Sequence, residues 1–365
     1  MPRSPLQGAS PSSSTHRRRL IAFAVVALSV LLALLVWSWR DTPSSVPSKP
    51  SHSYAQALKL AHDGKPGAAR VLYQQLARTD LSDARRVALL AELHNYPSPQ
   101  ALKLLDAHLA SGSPVVRQAA IETSTQLVSA GQRSLLLGPL LEDPDQAVRF
   151  SATSALLGLS PDELGLYFAV QQESAEAYRE YLEGQPATAA NQLQLARLCL
   201  QIGNSDRALA ALQRAISLEP DNVEAALAHI ELLDRKGQAD QARTLFARLL
   251  ERNPDSARLQ HALGSWLLEH DQGEYALLSL AKASELAPTN ADYRYDLAVA
   301  LHDLDQLEPA QKQLMQILQD QPANRRARVQ LIQYWKETGQ LQNVQVLLAE
   351  LEQQNPDDPA LQQGL

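Results

Sequence analysis

Prolines recur at a constant interval of 34 residues through the second half of this sequence. They are Pro220, Pro254, Pro288, Pro322 and Pro356. A constant interval of this length is typical of a chain built from stacked copies of one small unit, because each unit buries its apolar face only against its neighbours. The interval therefore predicts a repeat solenoid over about half of the chain.

Small or apolar residues occupy two further fixed positions in each interval, where the two helices of one unit would touch. The first position lies 24 residues before the proline and holds Ala196, Ile230, Gly264, Ala298 and Ile332. The second lies 12 residues before it and holds Ala208, Ala242, Ala276, Ala310 and Val344. A turn residue that tolerates left-handed backbone stands between them, namely Gly203, Gly237, Asp271, Asp305 and Gly339.

This pattern resembles the tetratricopeptide repeat, a helix-turn-helix unit of 34 residues. The resemblance implies five units within residues 189–365 and a concave groove lined by the first helix of each unit. After Pro356 only nine residues remain, which is short for a helix that caps the array. Either the last unit caps itself or a partner covers it.

A different repeat precedes this array. Val116-Arg117 and Val148-Arg149 are offset by 32 residues, each is followed by alanine and apolar residues, and Asp143-Pro144-Asp145 precedes the second. This pattern resembles the HEAT repeat, which implies that the valines pack in the core and the arginines brace adjoining turns. We expect HEAT-like pairs over residues 53–160. With two clear copies, this block is expected to lean on the tetratricopeptide array.

Residues 161–188 match neither pattern and are expected to form junction helices. Tyr178 and Tyr181 would pack there against one array or the other. Aromatic residues make up only 5% of the chain, and no alternating run of β-branched and aromatic residues is long enough for a strand. The predicted fold class is all-α, an α-solenoid of HEAT-like pairs followed by five tetratricopeptide units.

Residues 20–39 form an uncharged apolar run, LIAFAVVALSVLLALLVWSW. Twenty helical residues rise about 30 Å, the thickness of a bilayer's hydrocarbon core, which predicts a single transmembrane helix. The alternative is a cleaved secretory signal, but the run is long for one, no A-x-A site follows it, and Trp37 and Trp39 suit a membrane interface. Residues 40–52, rich in proline and serine, are expected to form a linker.

Arginines at positions 17, 18 and 19 abut this run and place residues 1–19 in the cytoplasm by the positive-inside rule. We therefore expect a single-pass protein of a bacterial inner membrane with its C-terminal domain in the periplasm. Residues 1–40 hold five arginines and no acidic residue, so the remainder carries 28 basic and 40 acidic residues, a net charge of −12. This acidic balance argues against a nucleic-acid partner.

No pattern of catalytic or cofactor-binding residues stands out. The sequence contains no nucleophile elbow, phosphate loop, zinc-protease motif or dinucleotide-binding motif. Its single cysteine, Cys199, excludes an internal disulfide and a C-x-x-C-H haem site, and it is expected to be a buried apolar residue. His261, His270 and His302 do not share a helical face. We therefore predict no enzyme activity, no cofactor and no metal.

The predicted groove is lined by residues three before and one after the small contact of each first helix. The candidate partner-binding residues are Leu193, Arg197, Leu227, Glu231, His261, Tyr295 and Gln333. This mixed lining departs from the Lys and Asn pattern that some tetratricopeptide domains use to hold a terminal carboxylate. We expect an extended or helical peptide held around Leu227, His261 and Tyr295, with Arg197 available for a carboxylate.

The order of the elements is similar to the haem-free C-terminal helical module of multihaem c-type cytochromes that contain tetratricopeptide repeats. The resemblance implies an envelope protein that works beside c-type cytochromes or other envelope complex subunits. We expect a membrane-anchored scaffold in the assembly of an envelope complex. One alternative is a chaperone-like factor in c-type cytochrome maturation or electron-transfer complex assembly. Another is an enzyme or enzyme subunit with an unrecognised site in the junction at residues 160–188, although the titratable residues there are more typical of a solvated helical face, namely Glu173, Glu176, Tyr178 and Glu180.

Overall fold

The computed structural model describes residues 52–362. The predicted transmembrane helix at residues 20–39 and the linker before residue 52 lie outside this range. Among the described residues, no helix is both long and apolar enough to cross a membrane.

The first part of the described chain consists of helices that pair with their neighbours in sequence. Their bounds are α1 (Tyr54–His62), α2 (Ala68–Leu76), α3 (Asp83–Leu93), α4 (Pro99–Leu109), α5 (Pro114–Leu127), α6 (Ala130–Leu137), α7 (Gln146–Leu156), α8 (Pro161–Leu164) and α9 (Phe168–Gly184). Short 3₁₀ turns at Gly138–Glu142 and Gly165–Tyr167 complete this part. We call residues 52–164 the HEAT block.

Five regular helix pairs follow. Their bounds are α10 (Ala189–Gln201), α11 (Ser205–Leu218), α12 (Val223–Arg235), α13 (Ala239–Arg252), α14 (Ala257–Glu269), α15 (Gly273–Leu286), α16 (Ala291–Asp303), α17 (Leu307–Asp320), α18 (Arg325–Glu337) and α19 (Leu341–Gln354), before a last turn α20 (Pro359–Gln362). We call α10–α19 the TPR array. No strand occurs within residues 52–362, which confirms the all-α prediction there.

The small-residue contacts of the TPR array are confirmed. Ala208, Ala242, Ala276 and Ala310 are fully buried, as are Ala196 and Ala298 on the facing helices. A side chain at Gly264 would place its Cβ 2.6 Å from the Leu280 side chain, so that only glycine fits there without a shift. The five predicted turn residues all have left-handed backbone, with φ between 57° and 77°, including Asp271 and Asp305.

The residue two positions after each repeat proline caps the next helix. The side chain of Asn222 accepts a hydrogen bond from the Ala225 amide, and Asn324 accepts one from the Ala327 amide. Ser256 plays the same part at the start of α14. Helix capping thus explains the polar residues of these loops.

The HEAT arginines brace adjoining turns, as their motif predicts. Arg117 lies almost fully buried and donates to the Ser111 carbonyl at 2.7 Å and to the Asp143 carboxylate at 2.7 Å. Arg149 donates to the backbone carbonyl of Asp143 at 2.6 Å. Val116 and Val148 lie fully buried in the core beside them. Arg117 therefore joins the loop before its helix to the following repeat, and Arg149 fixes the loop before its own helix.

The solenoid closes on itself. The Gly67 amide donates to the Gln353 carbonyl at 2.7 Å, and the Asn355 side chain donates to the Pro97 carbonyl at 2.7 Å, across 258 residues of sequence. Ala323, in the loop before α18, belongs to the same hydrophobic core as the HEAT block. We call this contact between the HEAT block and the end of the TPR array the seam.

The seam is tight at Gly64, where the α1–α2 turn meets the loop after α17. A Cβ at Gly64 would lie 2.8 Å from backbone atoms of Pro322 and Ala323, and the backbone there is left-handed, with φ of 57°. The end of the array is therefore covered in part by the chain's own first turn. The sequence left two choices, a self-capping last unit or a partner, and the structure shows this third arrangement.

Buried polar groups support both sides of the seam. Asp358 is fully buried and receives two hydrogen bonds from the Arg325 guanidinium, each 2.7 Å long. On the HEAT-block side of the seam, Tyr73 donates to the Tyr96 carbonyl at 2.6 Å and accepts a hydrogen bond from Ser98. Burial raises the pKa of Tyr73 to about 12; Ser98 lowers this pKa, and the carboxylate charge of Asp358 raises it. The phenol therefore stays protonated at neutral pH.

Candidate partner-binding surface

One continuous layer of helices runs through both arrays. Each helix of one series packs against the next member of that series, which consists of α3, α5, α7, α9, α10, α12 and α14. Side-chain contacts continue the series to α16 and α18, through His261 with Asp296 and Tyr295 with Gln330. Because the solenoid closes, the two ends of the layer face each other: His94, Asn95 and Gln126 line one cavity together with residues of α16 and α18. The layer thus forms the inner, groove-lining surface of the described chain.

Glu224 joins three successive units on this surface. Its carboxylate forms ion pairs with Arg197 of the preceding unit and with Arg258 of the following unit. Arg197, which the sequence left available for a partner carboxylate, is therefore already bound to a carboxylate of this chain. Its role toward a partner stays a prediction, and a partner carboxylate would have to compete with Glu224 for the guanidinium.

Similar bonds link the later units at offsets of about one repeat. His261 contacts Asp296 at 2.8 Å, Tyr295 donates to Gln330 at 2.9 Å, and His302 contacts Glu337 at 2.7 Å, each across 35 residues of sequence. Asp234 accepts from Trp266 at 2.9 Å and contacts His270 at 2.7 Å. We call these contacts the inter-repeat ladder. All three histidines singled out in the sequence belong to it.

The other predicted groove residues fall in different environments. Leu193 is only 7% exposed and packs in the core, so it offers little surface to a ligand. Leu227 and Glu231 line one cavity of about 450 Å³ between α12 and α14, together with Phe246 and Trp266. Gln333 is exposed and donates to Glu337 on its own helix at 3.2 Å. Leu227 and Tyr295 therefore line separate cavities, with His261 between them.

Tyr295 lines the cavity at the seam, which has a volume of about 710 Å³. The Arg326 guanidinium lies 3.7 Å from the centre of the Tyr295 ring and forms ion pairs with Asp292 and Asp296. Asn95 of the HEAT block accepts a hydrogen bond from the Arg325 amide at its edge. This cavity combines charges of both signs around one aromatic ring, so it suits a polar segment of a partner.

A cavity of about 630 Å³ lies at the junction of the two arrays, between α5, α7, α9 and α10. Phe150 stacks on Tyr178 with ring centroids 4.3 Å apart, and the Tyr181 ring lies 5.1 Å from Phe150. Burial raises the pKa of Tyr178, so it stays a neutral phenol. Tyr181 is 39% exposed, and Gln118, Gln146 and Gln194 add amide groups to the lining.

The sequence predicts that Tyr178 and Tyr181 lie at an array contact, but it does not indicate this cavity. The contact partner is Phe150 of the HEAT block, from a helix that precedes α9 by two elements. The available signal was the gathering of three aromatic residues near the junction of a chain with 5% aromatics. Their distance in sequence concealed that they share one site.

The surface holds polar groups but no arrangement suited to metal chemistry. Within residues 52–362, no three histidine, cysteine, aspartate or glutamate side chains are placed to hold a metal ion. Cys199 is buried, as predicted, and burial raises the pKa of its thiol. A protonated, inaccessible thiol neither binds a metal nor acts as a nucleophile. The arrangement offers hydrogen bonds, charges and aromatic faces, which are the contacts of a binding surface.

Comparisons with known proteins agree with this architecture. Tetratricopeptide repeat models match residues 203–265 and 171–225, and a HEAT repeat model matches residues 64–157. The second match begins within α9, so it includes much of the predicted junction. No curated protein matches this chain.

Several solved structures resemble parts of the chain. The crystal structure of YrrB, a TPR protein with an unusual peptide-binding site, is 20% identical over 52% of this chain and 98% of its own, with a TM-score of 0.37. MamA from Desulfovibrio magneticus RS-1 is 18% identical over 42% of this chain and 88% of its own, with a TM-score of 0.33. Yeast Tom70 is 12% identical over 83% of this chain and 61% of its own, with a TM-score of 0.46. Together, the repeat matches and the helix pairs show that this chain is a tetratricopeptide-like repeat protein with HEAT repeats.

Proposed function

We propose that this chain is a non-enzymatic scaffold that holds protein partners on its inner surface during assembly of an envelope complex. The observation that carries the proposal is the continuous helical layer with cavities of about 450, 630 and 710 Å³. Repeat solenoids bind extended ligands on surfaces of this kind. A partner segment would contact both arrays, since the junction cavity and the seam cavity each include residues of both.

The junction cavity is the proposed anchor point. Aromatic side chains dominate the energetics of protein interfaces because they combine a large apolar area with a polar edge. Phe150 and Tyr178 form a fixed platform, and the partly exposed Tyr181 is free to cover an inserted side chain. The glutamine amides around them would pair with backbone groups of the partner. Among the described residues that line the cavity, Glu122 alone is charged, so the site suits an uncharged segment.

Membrane anchoring and a periplasmic location are part of the proposal, and both rest on the sequence. The uncharged run at residues 20–39 supports an anchor, and the arginines before it support a cytoplasmic N-terminus. In that arrangement the repeats would recruit partners beside the membrane.

The test is affinity purification of the full-length protein from detergent-solubilised membranes, with mass spectrometry of the co-purifying proteins. We expect specific partners with the wild type and a loss of most of them with Tyr181→Ala. Tyr275→Ala is the matched control, because Tyr275 is an exposed tyrosine on α15, a second helix of its unit. Absence of any specific partner, or equal recovery with both variants, would contradict the proposal.

The alternative proposal is a chaperone-like role in c-type cytochrome maturation or electron-transfer complex assembly. The sequence resemblance through Asp143-Pro144-Asp145 and Val148-Arg149 favours it. A haem absorbance spectrum of the same purified material distinguishes the two. Co-purified c-type cytochromes, and a lower amount of covalently bound haem in cells that lack the protein, would support this alternative. Partners without haem, and an unchanged amount of covalent haem, would favour the general scaffold.

A further inference from the structure

Two equivalent crevices lie between second helices of the TPR array, away from the inner layer. One lies between α17 and α19 over α18, and we call it the closing crevice. The other lies between α11 and α13 over α12, three repeats earlier, and we call it the open crevice. Their linings correspond residue by residue at the repeat interval: Met315, Pro322, Leu331 and Trp335 in the closing crevice stand where Gln213, Pro220, His229 and Leu233 stand in the open one.

The closing crevice already contains a protein segment. The α1–α2 turn, Asp63-Gly64-Lys65-Pro66, lines it, and the next residue, Gly67, donates to the Gln353 carbonyl of α19. With the turn in place, a cavity of about 490 Å³ remains. The fold itself thus shows which occupant this type of crevice accepts, namely a tight turn that contains glycine and proline.

Within residues 52–362, no turn from outside α11–α13 lines the open crevice, which holds a cavity of about 730 Å³. Its walls include Ile216, Leu245 and Leu249, and its floor includes His229. Burial lowers the pKa of His229, so the imidazole is neutral at neutral pH. The crevice is therefore a slot with apolar wall residues, and its lining occupies the same repeat positions as that of the closing crevice.

The two crevices differ in charge at equivalent positions. In the closing crevice Glu350 is paired with Arg328 of the crevice floor. In the open crevice these two positions are Arg248 and Ala226, so the floor offers no counter-charge to the arginine. Arg252, one helical turn from Arg248, also lines the slot. Neither arginine forms an ion pair with the described residues.

We propose that the open crevice docks an acidic turn of a partner protein, in the way that the closing crevice holds the turn at Asp63–Pro66. The turn geometry follows from the equivalent occupant, and the acidic character follows from the replacement of Glu350 by Arg248. An aspartate or glutamate at the position that Lys65 holds in the chain's own turn would meet Arg248 and Arg252. This site is independent of the inner surface, so it would hold a second partner.

The test uses the full-length chain in detergent, with an environment-sensitive dye on a Thr244→Cys variant. Thr244 is exposed and lines the crevice, while Cys199 is buried and stays unlabelled. The probe peptide has the sequence of residues 60–69 with Lys65→Glu, and the comparison peptide keeps the lysine. We expect saturable binding of the glutamate peptide, about tenfold tighter than that of the lysine peptide, the size of effect that two partly exposed ion pairs give.

Charge reversal sharpens the test. The double variant Arg248→Glu/Arg252→Glu should invert the preference, so that the lysine peptide binds more tightly. Arg214→Glu, an exposed position of α11 outside the crevice lining, should leave the preference unchanged. Failure of the glutamate peptide to saturate the signal, equal binding of both peptides, or a preference that survives the double reversal would overturn the proposal.

Discussion

The HEAT block and the TPR array join their units in different ways. Buried apolar residues of the HEAT block form a single cluster from Ala61 to Leu164, which also takes in Ala323. Buried hydrogen bonds to backbone carbonyls reinforce it, such as the one from Thr123 to Leu90 at 3.0 Å. The buried residues of the TPR array instead form three clusters, and the partly exposed inter-repeat ladder links its units.

This difference predicts which region unfolds locally at low free energy and which region unfolds only as a whole. A continuous core opens only as a unit, whereas separate clusters with partly exposed links open locally at lower free energy. The cluster around Phe246 and Trp266 is the smallest of the three, so α12–α14 should be the softest joint. The inner surface would then combine a firm HEAT wall with an adaptable TPR wall, which suits a scaffold.

Truncation of a core leucine should separate the two regions most strongly. Leu90 is fully buried in the HEAT cluster, so Leu90→Ala should cost about 3 kcal/mol of unfolding free energy. Leu245 is half-buried beside the cluster of α12–α14, so Leu245→Ala should lower the free energy of unfolding by only about 1 kcal/mol. Hydrogen exchange followed by mass spectrometry measures both locally. Equal losses in the two variants would remove the distinction between the regions.

Gly64→Ala tests the seam that connects them. The new Cβ would meet the backbone of Pro322 and Ala323 and would sit on left-handed backbone, so we expect a loss of about 2 kcal/mol. Gly158→Ala is the matched control, because Gly158 has a φ of 82° and open space around it. Gly158→Ala should lower the free energy of unfolding by only about 1 kcal/mol, the cost of placing an alanine on left-handed backbone. Equal losses would mean that Gly64 makes no close contact.

Glu224→Gln should weaken the ion pairs between the first three units of the TPR array without affecting the HEAT block. It removes the charge that pairs with Arg197 and Arg258, which are both about half exposed. We expect a loss below about 1 kcal/mol, because exposed ion pairs contribute little, and a smaller loss in high salt. Urea unfolding at two salt concentrations gives the difference. A loss that salt does not change would indicate a role other than charge pairing.

The smallest effect should come from His229 in the TPR array. Burial lowers its folded-state pKa below that of the unfolded chain, so the unfolded chain binds the proton more readily. Stability should therefore fall as the pH drops below about 6.5, and His229→Gln should lack this component of the pH dependence. Wild type and variant should respond alike above that pH. A variant that keeps the full acid dependence would exclude His229 as its source.

Much of the fold could be predicted because the TPR pattern is local. The turn at Gly203, the contact of Gly264 and the cap at Asn222 each depend on residues within one unit or its nearest neighbour. The bracing role of Arg117 is local in the same sense. A periodic sequence therefore predicts such contacts without knowledge of the rest of the fold.

The candidate site could be predicted only in part, because it depends on how units are rotated against one another. The seam results from small rotations that accumulate over the whole solenoid, and no single repeat encodes it. For the same reason, the sequence identified Tyr295 as a groove residue but not the facing residue Asn95. It also gave Arg197 to a partner, whereas the neighbouring unit supplies Glu224.

The solenoid closes on itself at the seam, and hydrogen exchange at the Gly67 amide tests this closure most directly. This amide donates to Gln353 at the far end of the array, so its hydrogen exchange reports the seam and not the local helix. Amide-resolved exchange on the full-length chain should show Gly67 protected to the same degree as the core of the HEAT block. Exchange at the rate of an unprotected peptide, in a chain whose helices remain protected, would contradict the closed arrangement.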